Sequence, residues 1–238
     1  MAVYAHNNFL NADLEVVGSY RQEGRRLIYA DALPAFADTL KQRLKEDHQN
    51  VIVITGGTGS GKSTLAIQLC NAMAKALGEK KWRIADNYIY SVDDLKAKLR
   101  DQGGSSINLF DEGSISLNSN NSQRSEDKMM VALFDTMRTL GWTSIICIPH
   151  IDSLNKRVRL YHMDYRMICP NRALVPGYDS RGFGQIYKHV LREFGKPYDR
   201  LIATTTFSPL KPSQAQEYGR IKLQHQRQLI DEFINGDD

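Results

Sequence analysis

The spacing of hydrophobic positions changes at Val51. Ahead of it, Phe36, Leu40 and Leu44 recur at helical intervals among charged residues, so Leu33 to Lys45 reads as an amphipathic helix, and Pro34 suits its first turn. At Val51 the helical interval gives way to Val-Ile-Val-Ile-Thr, a short β-branched run of the kind buried on both faces of a parallel sheet. A glycine-rich turn follows at once. Lys62 to Leu77 then reads as a helix, with Leu65, Ile67, Leu69, Met73 and Leu77 on its apolar faces and Gly78 placed as a C-terminal cap.

Strand and helix go on alternating. A strand is expected near Tyr88 to Ser91, then a helix over Val92 to Arg100 whose first turn carries Asp93 and Asp94, as the helix dipole favours. The loop Asp-Gln-Gly-Gly-Ser-Ser leads to a strand at Ile107 to Phe110. A helix at Asp127 to Thr139 and an apolar strand at Thr143 to Ile148, closed by Pro149, complete the regular part. Units of this kind predict an α/β fold with a mainly parallel central sheet flanked by helices. Beyond about residue 165 the pattern weakens to candidate strands at Met167 to Cys169, Tyr187 to Phe194 and Leu201 to Phe207, and a helix at Ser213 to Ile234. Asn118 to Ser125, rich in small polar residues, reads as a mobile loop after the acidic strand. The division expected is an N-terminal arm or adaptor over residues 1–50, a core over 51–210 and a C-terminal helix over 211–238.

Composition bounds these expectations without redirecting them. A chain of 238 residues, 42% hydrophobic, can fill the core of one α/β domain. The net charge of +4 and pI near 8.9 suggest mild affinity for polyanions, diluted by 27 acidic residues, so any basic face is local. No apolar run reaches the roughly 18 residues of a membrane span, and the first residues lack the pattern of a signal peptide. A cytoplasmic protein is expected. Cys70, Cys147 and Cys169 are odd in number and lie in apolar contexts, which points to small core residues and not to a disulfide framework or zinc site.

The chemistry concentrates in two motifs. Gly56-Gly57-Thr58-Gly59-Ser60-Gly61-Lys62-Ser63-Thr64 satisfies G-x-x-x-x-G-K-[ST] between a predicted strand and a predicted helix. Glycines let successive backbone N–H groups turn toward one phosphate, and the new helix offers its positive end to the same anion. Lys62 is placed to reach the β- and γ-phosphates, and the Ser63 hydroxyl to ligate Mg²⁺. In Ile107-Asn108-Leu109-Phe110-Asp111-Glu112, a buried strand delivers Asp111 to its C-terminal edge, where it would hold the metal through water. Glu112, one residue on, would orient and deprotonate the attacking water. The pair favours hydrolysis over transfer to a small acceptor, and ATP is the default nucleotide because no guanine-reading Asn-Lys-x-Asp is present.

Other candidates stay open. His150, at the tip of the Thr143 to Ile148 strand, is either a γ-phosphate sensor or a residue that merely caps the strand end. Residues 155–172 hold Lys156, Arg157, Arg159, Arg166 and Arg172 against the single acid Asp164. One of these arginines, Arg157 foremost, would act across a subunit boundary on a neighbour's site, or the group would grip nucleic-acid phosphates, or it is a solvated face. Arg138 and Arg124 are rivals for the trans-acting role. The stretch Lys211 to Arg227, with Arg220, Lys222, Tyr218 and His225, is a mildly basic helix that touches nucleic acid, a neighbour or only its own core.

With both motifs in place, and Leu133-Phe134-Asp135-Thr136-Met137-Arg138-Thr139-Leu140-Gly141-Trp142 running toward the next strand, residues 50 to 170 resemble the FtsK/HerA group of RecA-like P-loop ATPases. Ile145 to Arg159 is similar to the Zot-like and viral genome-packaging branches. The resemblance implies a homo-oligomeric ring that moves double-stranded DNA, with Lys62, Ser63, Asp111 and Glu112 at its catalytic positions. It also implies ATP and Mg²⁺ as cofactors, a capsid or portal protein as partner, and host cytoplasm or virion as location. Two departures stand out: the group's usual sensor glutamine is His150 here, and the membrane anchor of Zot-like assembly proteins is missing, which favours a soluble viral or mobile-element packaging ATPase. The rival readings are a non-translocating switch, such as a helicase loader or partition-like ATPase, and a nucleoside or polynucleotide kinase.

Overall fold

The structure is a computed structural model, in which residues 16–22, 25–79, 82–100, 106–111, 134, 140–170, 182–192 and 195–235 are described. Strands β1 (Val16–Gln22) and β2 (Arg25–Ala30) form an antiparallel pair that the sequence pattern did not announce. After α1 (Leu33–Lys45) come β3 (Asn50–Thr55), α2 (Lys62–Leu77), the single-turn α3 (Ile84–Asn87), β4 (Tyr88–Ile89), α4 (Val92–Arg100) and β5 (Ile107–Phe110). The chain continues through β6 (Thr143–Ile148), β7 (Tyr165–Ile168), β8 (Gly182–Val190), β9 (Tyr198–Phe207) and α5 (Pro212–Asn235).

Seven of these strands make one sheet in the order β4-β5-β6-β3-β7-β8-β9. The first five run parallel, and β8 and β9 close one side as antiparallel neighbours. This is the mixed α/β fold with a mostly parallel sheet that the alternating pattern predicts. Every residue of β3 is buried, and its alternation serves both faces: Ile52 and Ile54 pack with Leu65, Leu69 and Met73 of α2, while Val51 and Val53 pack with Phe110, Phe134, Trp142, Leu154 and Val158.

Helix α1, grouped with the arm in the sequence-based division, packs into the core. Leu33, Phe36, Ala37 and Leu40 are buried in the same cluster as α2, and the Phe36 ring meets Tyr165 edge-on at 5.0 Å. Lys41 Nζ donates to the Ala76 carbonyl of α2 at 2.6 Å. At the foot of the sheet Arg43 pairs with Asp164, whose second oxygen accepts the Val51 N–H at 2.9 Å. Burial pushes the Asp164 carboxyl above its ordinary range, and the guanidinium opposes that push without cancelling it.

The strand ends differ from expectation where glycine hides a packing role. β8 begins at Gly182, ahead of the predicted Tyr187, and at Gly182 the Phe207 ring of β9 occupies the space of the absent side chain: a Cβ there would lie 2.1 Å from it. β4 is shorter than predicted and β7 and β9 start earlier, whereas α4, β5 and β6 match their predicted spans. The predicted loop at Asn118 to Ser125 and, apart from helical Phe134, the helix at Asp127 to Thr139 lie outside the described residues. Cys70, Cys147 and Cys169 are buried and free, as core residues should be. Among the described residues no helix is long and apolar enough to cross a membrane.

Candidate active site

The turn between β3 and α2 sits at the C-terminal edge of the sheet, where ligands of open α/β sheets bind. Its start is tied across the sheet, since the Gly56 N–H donates to the Pro149 carbonyl beyond β6 at 3.3 Å. Gly56 has no room for a side chain: a Cβ would stand 2.4 Å from the Cys169 carbonyl oxygen and 2.7 Å from Ser60 Oγ. Gly61 opens α2 at φ +97°, a left-handed conformation that glycine adopts without strain, with the Phe207 ring 3.2 Å from where a Cβ would be. The turn thus curls with its backbone bare, as phosphate binding requires.

Lys62 is buried, and its Nζ folds back to donate to the Gly56 and Gly57 carbonyls at 2.8 and 3.1 Å. Those bonds hold the ammonium across the mouth of the turn, where an arriving polyphosphate would exchange with the carbonyls. The Ser60 hydroxyl is buried with no protein partner among the described residues, an orphan that a ligand oxygen in the turn would satisfy.

Across the turn, Ser63 Oγ lies 3.2 and 3.1 Å from the two carboxylate oxygens of Asp111. Asp111 is delivered by β5, which does not touch β3: β6 lies between them, pairing Ile145 and Ile146 with Leu109 and Phe110 on one side and with Ile52 and Val53 on the other. A hydroxyl and a carboxylate, both hard oxygen donors, fit Mg²⁺, with Ser63 as a direct ligand and Asp111 acting through metal-bound water. When bound, that ion would neutralise charge developing on transferring phosphoryl oxygens. The residues present therefore fit a nucleoside triphosphate and its metal.

Two tyrosines complete the carboxylate's surroundings. Tyr218 of α5 donates to Asp111 Oδ2 at 2.5 Å, and Tyr88 of β4 reaches the same oxygen at 3.4 Å. Burial first, and the Asp111 charge second, raise both phenol pKa values above their ordinary range, so both remain protonated donors. The same pair of causes raises the Cys147 thiol on β6. Burial also pushes Cys169 up to about 12, opposed by the Lys62 charge, so neither thiol is a nucleophile near neutrality. Sequence reading missed both tyrosines as site residues. Their only local signal is Tyr88 opening a strand beside the acidic one.

The family model described as Novel STAND NTPase 3 matches residues 35–164, more than half of the chain, including the glycine turn, Lys62, Ser63, Tyr88 and Asp111. The chain belongs to the novel STAND NTPase 3 family. A novel STAND NTPase, it is a P-loop nucleoside-triphosphatase, and the matched span begins inside α1, consistent with that helix packing against α2. No curated protein matches the chain. Among solved structures it is similar to the N-terminal domain of zonular occludens toxin from Neisseria meningitidis, at 13% identity over 69% of this chain and 96% of that one, TM-score 0.38. It is also similar to a KaiC-like protein from Pyrococcus horikoshii, at 12% identity over 66% and 89%, TM-score 0.35. A third similarity is to ATPases 2 and 3 of EssC from Geobacillus thermodenitrificans, at 14% identity over 76% and 45%, TM-score 0.38.

Of the other residues predicted for this novel STAND NTPase site, His150 is exposed beyond β6. Its Nδ1 accepts the Asp152 N–H at 3.3 Å, so it caps the short 3-10 turn Ile151–Ser153. Arg159 is paired with Asp152, and Arg166 is half-buried against Asp199 at 3.3 Å, which withdraws both from the predicted basic cluster. Arg157 is exposed. Glu112, Arg124, Arg138 and Arg172 lie outside the described residues.

Proposed function

We propose that this protein is a Mg²⁺-dependent ATPase whose turnover drives movement of double-stranded DNA through a ring of identical subunits. The observation that carries the hydrolytic part is the Ser63–Asp111 pair at the mouth of the glycine turn, with Glu112 next in the chain as the base for water. The exposed Arg157, in the connection leaving β6, supports a trans-acting arginine. DNA as the substrate rests on the resemblance of residues 50 to 170 to FtsK/HerA-type ATPases, and genome packaging is the task that resemblance points to.

The test is steady-state ATP hydrolysis with and without duplex DNA, beside Glu112→Gln. Stimulation by DNA that disappears in the variant supports the motor; turnover indifferent to DNA counts against it. Arg157→Ala subunits should hydrolyse poorly alone and recover when mixed with Glu112→Gln subunits, whose own Arg157 is intact. No recovery removes Arg157 from the trans-acting role.

One observation favours a second reading, a nucleotide-controlled switch: Tyr218 bonds the carboxylate that would serve the metal, linking the site to a helix that leaves it. A switch would hydrolyse slowly without DNA response and accelerate on adding a protein partner.

A further inference from the structure

Helix α5 is fixed at its base. Gln68 of α2 donates to the Ser208 and Pro209 carbonyls at 3.4 and 3.5 Å, Asn71 and Gln214 exchange amide hydrogen bonds at 3.4 and 3.1 Å, and Glu217 accepts the Ala85 N–H at 3.2 Å. Past Tyr218 its hold changes character. His225 stacks on Tyr90 with ring centroids 4.2 Å apart, whereas Leu223, Ile230 and Ile234 are more than half exposed. The helix is thus anchored at one end, meets the site at Tyr218, and its described side chains beyond His225 are exposed.

At the site itself, hydrogen-bonding capacity is crowded. A carboxylate has about four lone-pair positions. On Asp111 three donors converge: the Ser63 hydroxyl, its one proton shared between the two oxygens, and two phenols on Oδ2. The Ser63 hydroxyl also lies beside the Tyr218 oxygen and partly offsets the upward push on that phenol. The Tyr218 hydroxyl therefore stands among the same two groups that would share a hydrated Mg²⁺, an ion that demands near-octahedral oxygen ligation and keeps several waters.

We propose that α5 is a latch on the metal site: the Tyr218 hydroxyl occupies Asp111 Oδ2 beside Ser63, and nucleotide-borne Mg²⁺ with its water shell displaces it, loosening the helix from Tyr218 onward. Because the coupling is reciprocal, anything that lifts α5 strengthens Mg–nucleotide binding by the same factor that Mg–nucleotide lifts α5. The inference rests on the Mg²⁺–ATP reading of the site.

Two measurements on the full chain test it. The first is the Mg²⁺ concentration that half-saturates ATP binding, by calorimetry, in wild type and Tyr218→Phe, which keeps the ring and removes the hydroxyl. A lost hydrogen bond to a charged group should lower that concentration by about tenfold. An unchanged or raised requirement overturns the latch, the raised case making Tyr218 a residue that positions Asp111 for the metal. The second, on wild type alone, is trypsin cleavage after Arg220, Lys222 and Arg227. Mg–ATP should accelerate it severalfold and metal-free ATP should not, and protection or no change overturns the proposal. If neither wild type nor variant binds ATP with Mg²⁺, the ATPase reading fails and the latch with it; if wild type binds and the variant gains nothing, only the latch fails.

Discussion

The Ser63 hydroxyl reaches the Asp111 carboxylate from 48 residues away in sequence, at 3.1 Å to the nearer oxygen. The contact joins the start of α2 to the end of β5 and makes the two motifs one site. Removing either partner should leave the fold intact and disable the metal. Ser63→Ala and Asp111→Asn are each expected to reduce ATP turnover on the order of 100-fold or more, as loss of metal catalysis would. Steady-state hydrolysis across a Mg²⁺ titration, with circular dichroism as the folding control, checks this; turnover within a few-fold of wild type would detach the pair from catalysis.

Gly56 and Gly59 make a matched comparison. Alanine at Gly56 forces a Cβ to within 2.4 Å of the Cys169 carbonyl, so the turn must shift, with a loss of about 1–3 kcal/mol in stability and a clear loss of nucleotide affinity. Alanine at Gly59 meets nothing within 4 Å and suffers only from φ +75°, an expense of about 1–2 kcal/mol. Thermal unfolding and calorimetric titration of both variants should rank Gly56→Ala as the worse binder.

Phe36 tests where the NTPase core begins. Buried in the α1–α2 cluster and packed on Tyr165, it should lose about 3–5 kcal/mol on truncation to alanine. If residues 1–50 were a detachable arm, denaturant unfolding of Phe36→Ala would leave the main transition unmoved.

The far corner of the sheet predicts an acid limb. Burial alone would raise Asp199, but hydrogen bonds from His189 at 2.7 Å and Arg166 outweigh it and hold the carboxyl below its ordinary 3.8. A carboxyl depressed in the folded state stabilises above its unfolded value and loses that stabilisation as pH falls through the folded one. Asp164 has the opposite sign: raised by burial, its ionisation weakens the fold as pH rises through its folded value. Denaturant midpoints measured downward from about pH 5 should therefore fall less steeply in Asp199→Asn than in wild type. Parallel curves would mean the pair is not formed.

Much of this was readable from short-range pattern. β3, α2, α4, β5 and β6 announce themselves because burial on one or both faces imposes a period of two or of 3.6, and because glycine and proline mark their ends. The glycine turn and Asp111 follow from the same local grammar. Tyr218 does not: it reaches Asp111 across 107 residues, through a helix whose own periodicity says only that one side packs. Tyr88 is 23 residues away and hidden by the ordinary appearance of a tyrosine in a strand. The basic run at 155–172 looks less paired in sequence than it is in the fold: Asp152 stands just ahead of the run and pairs with Arg159, while Asp199, the partner of Arg166, is 33 residues away.

Strand β6 separates the two walls of the metal site, and its far end is bonded back to Gly56 through the Pro149 carbonyl. A pull on the segment carrying His150 and Arg157 therefore acts on both walls together, shifting the phosphate turn and the acidic strand by way of one shared neighbour. A load on that segment would change metal affinity without touching nucleotide, because the phosphate turn and the carboxylate answer to the same strand.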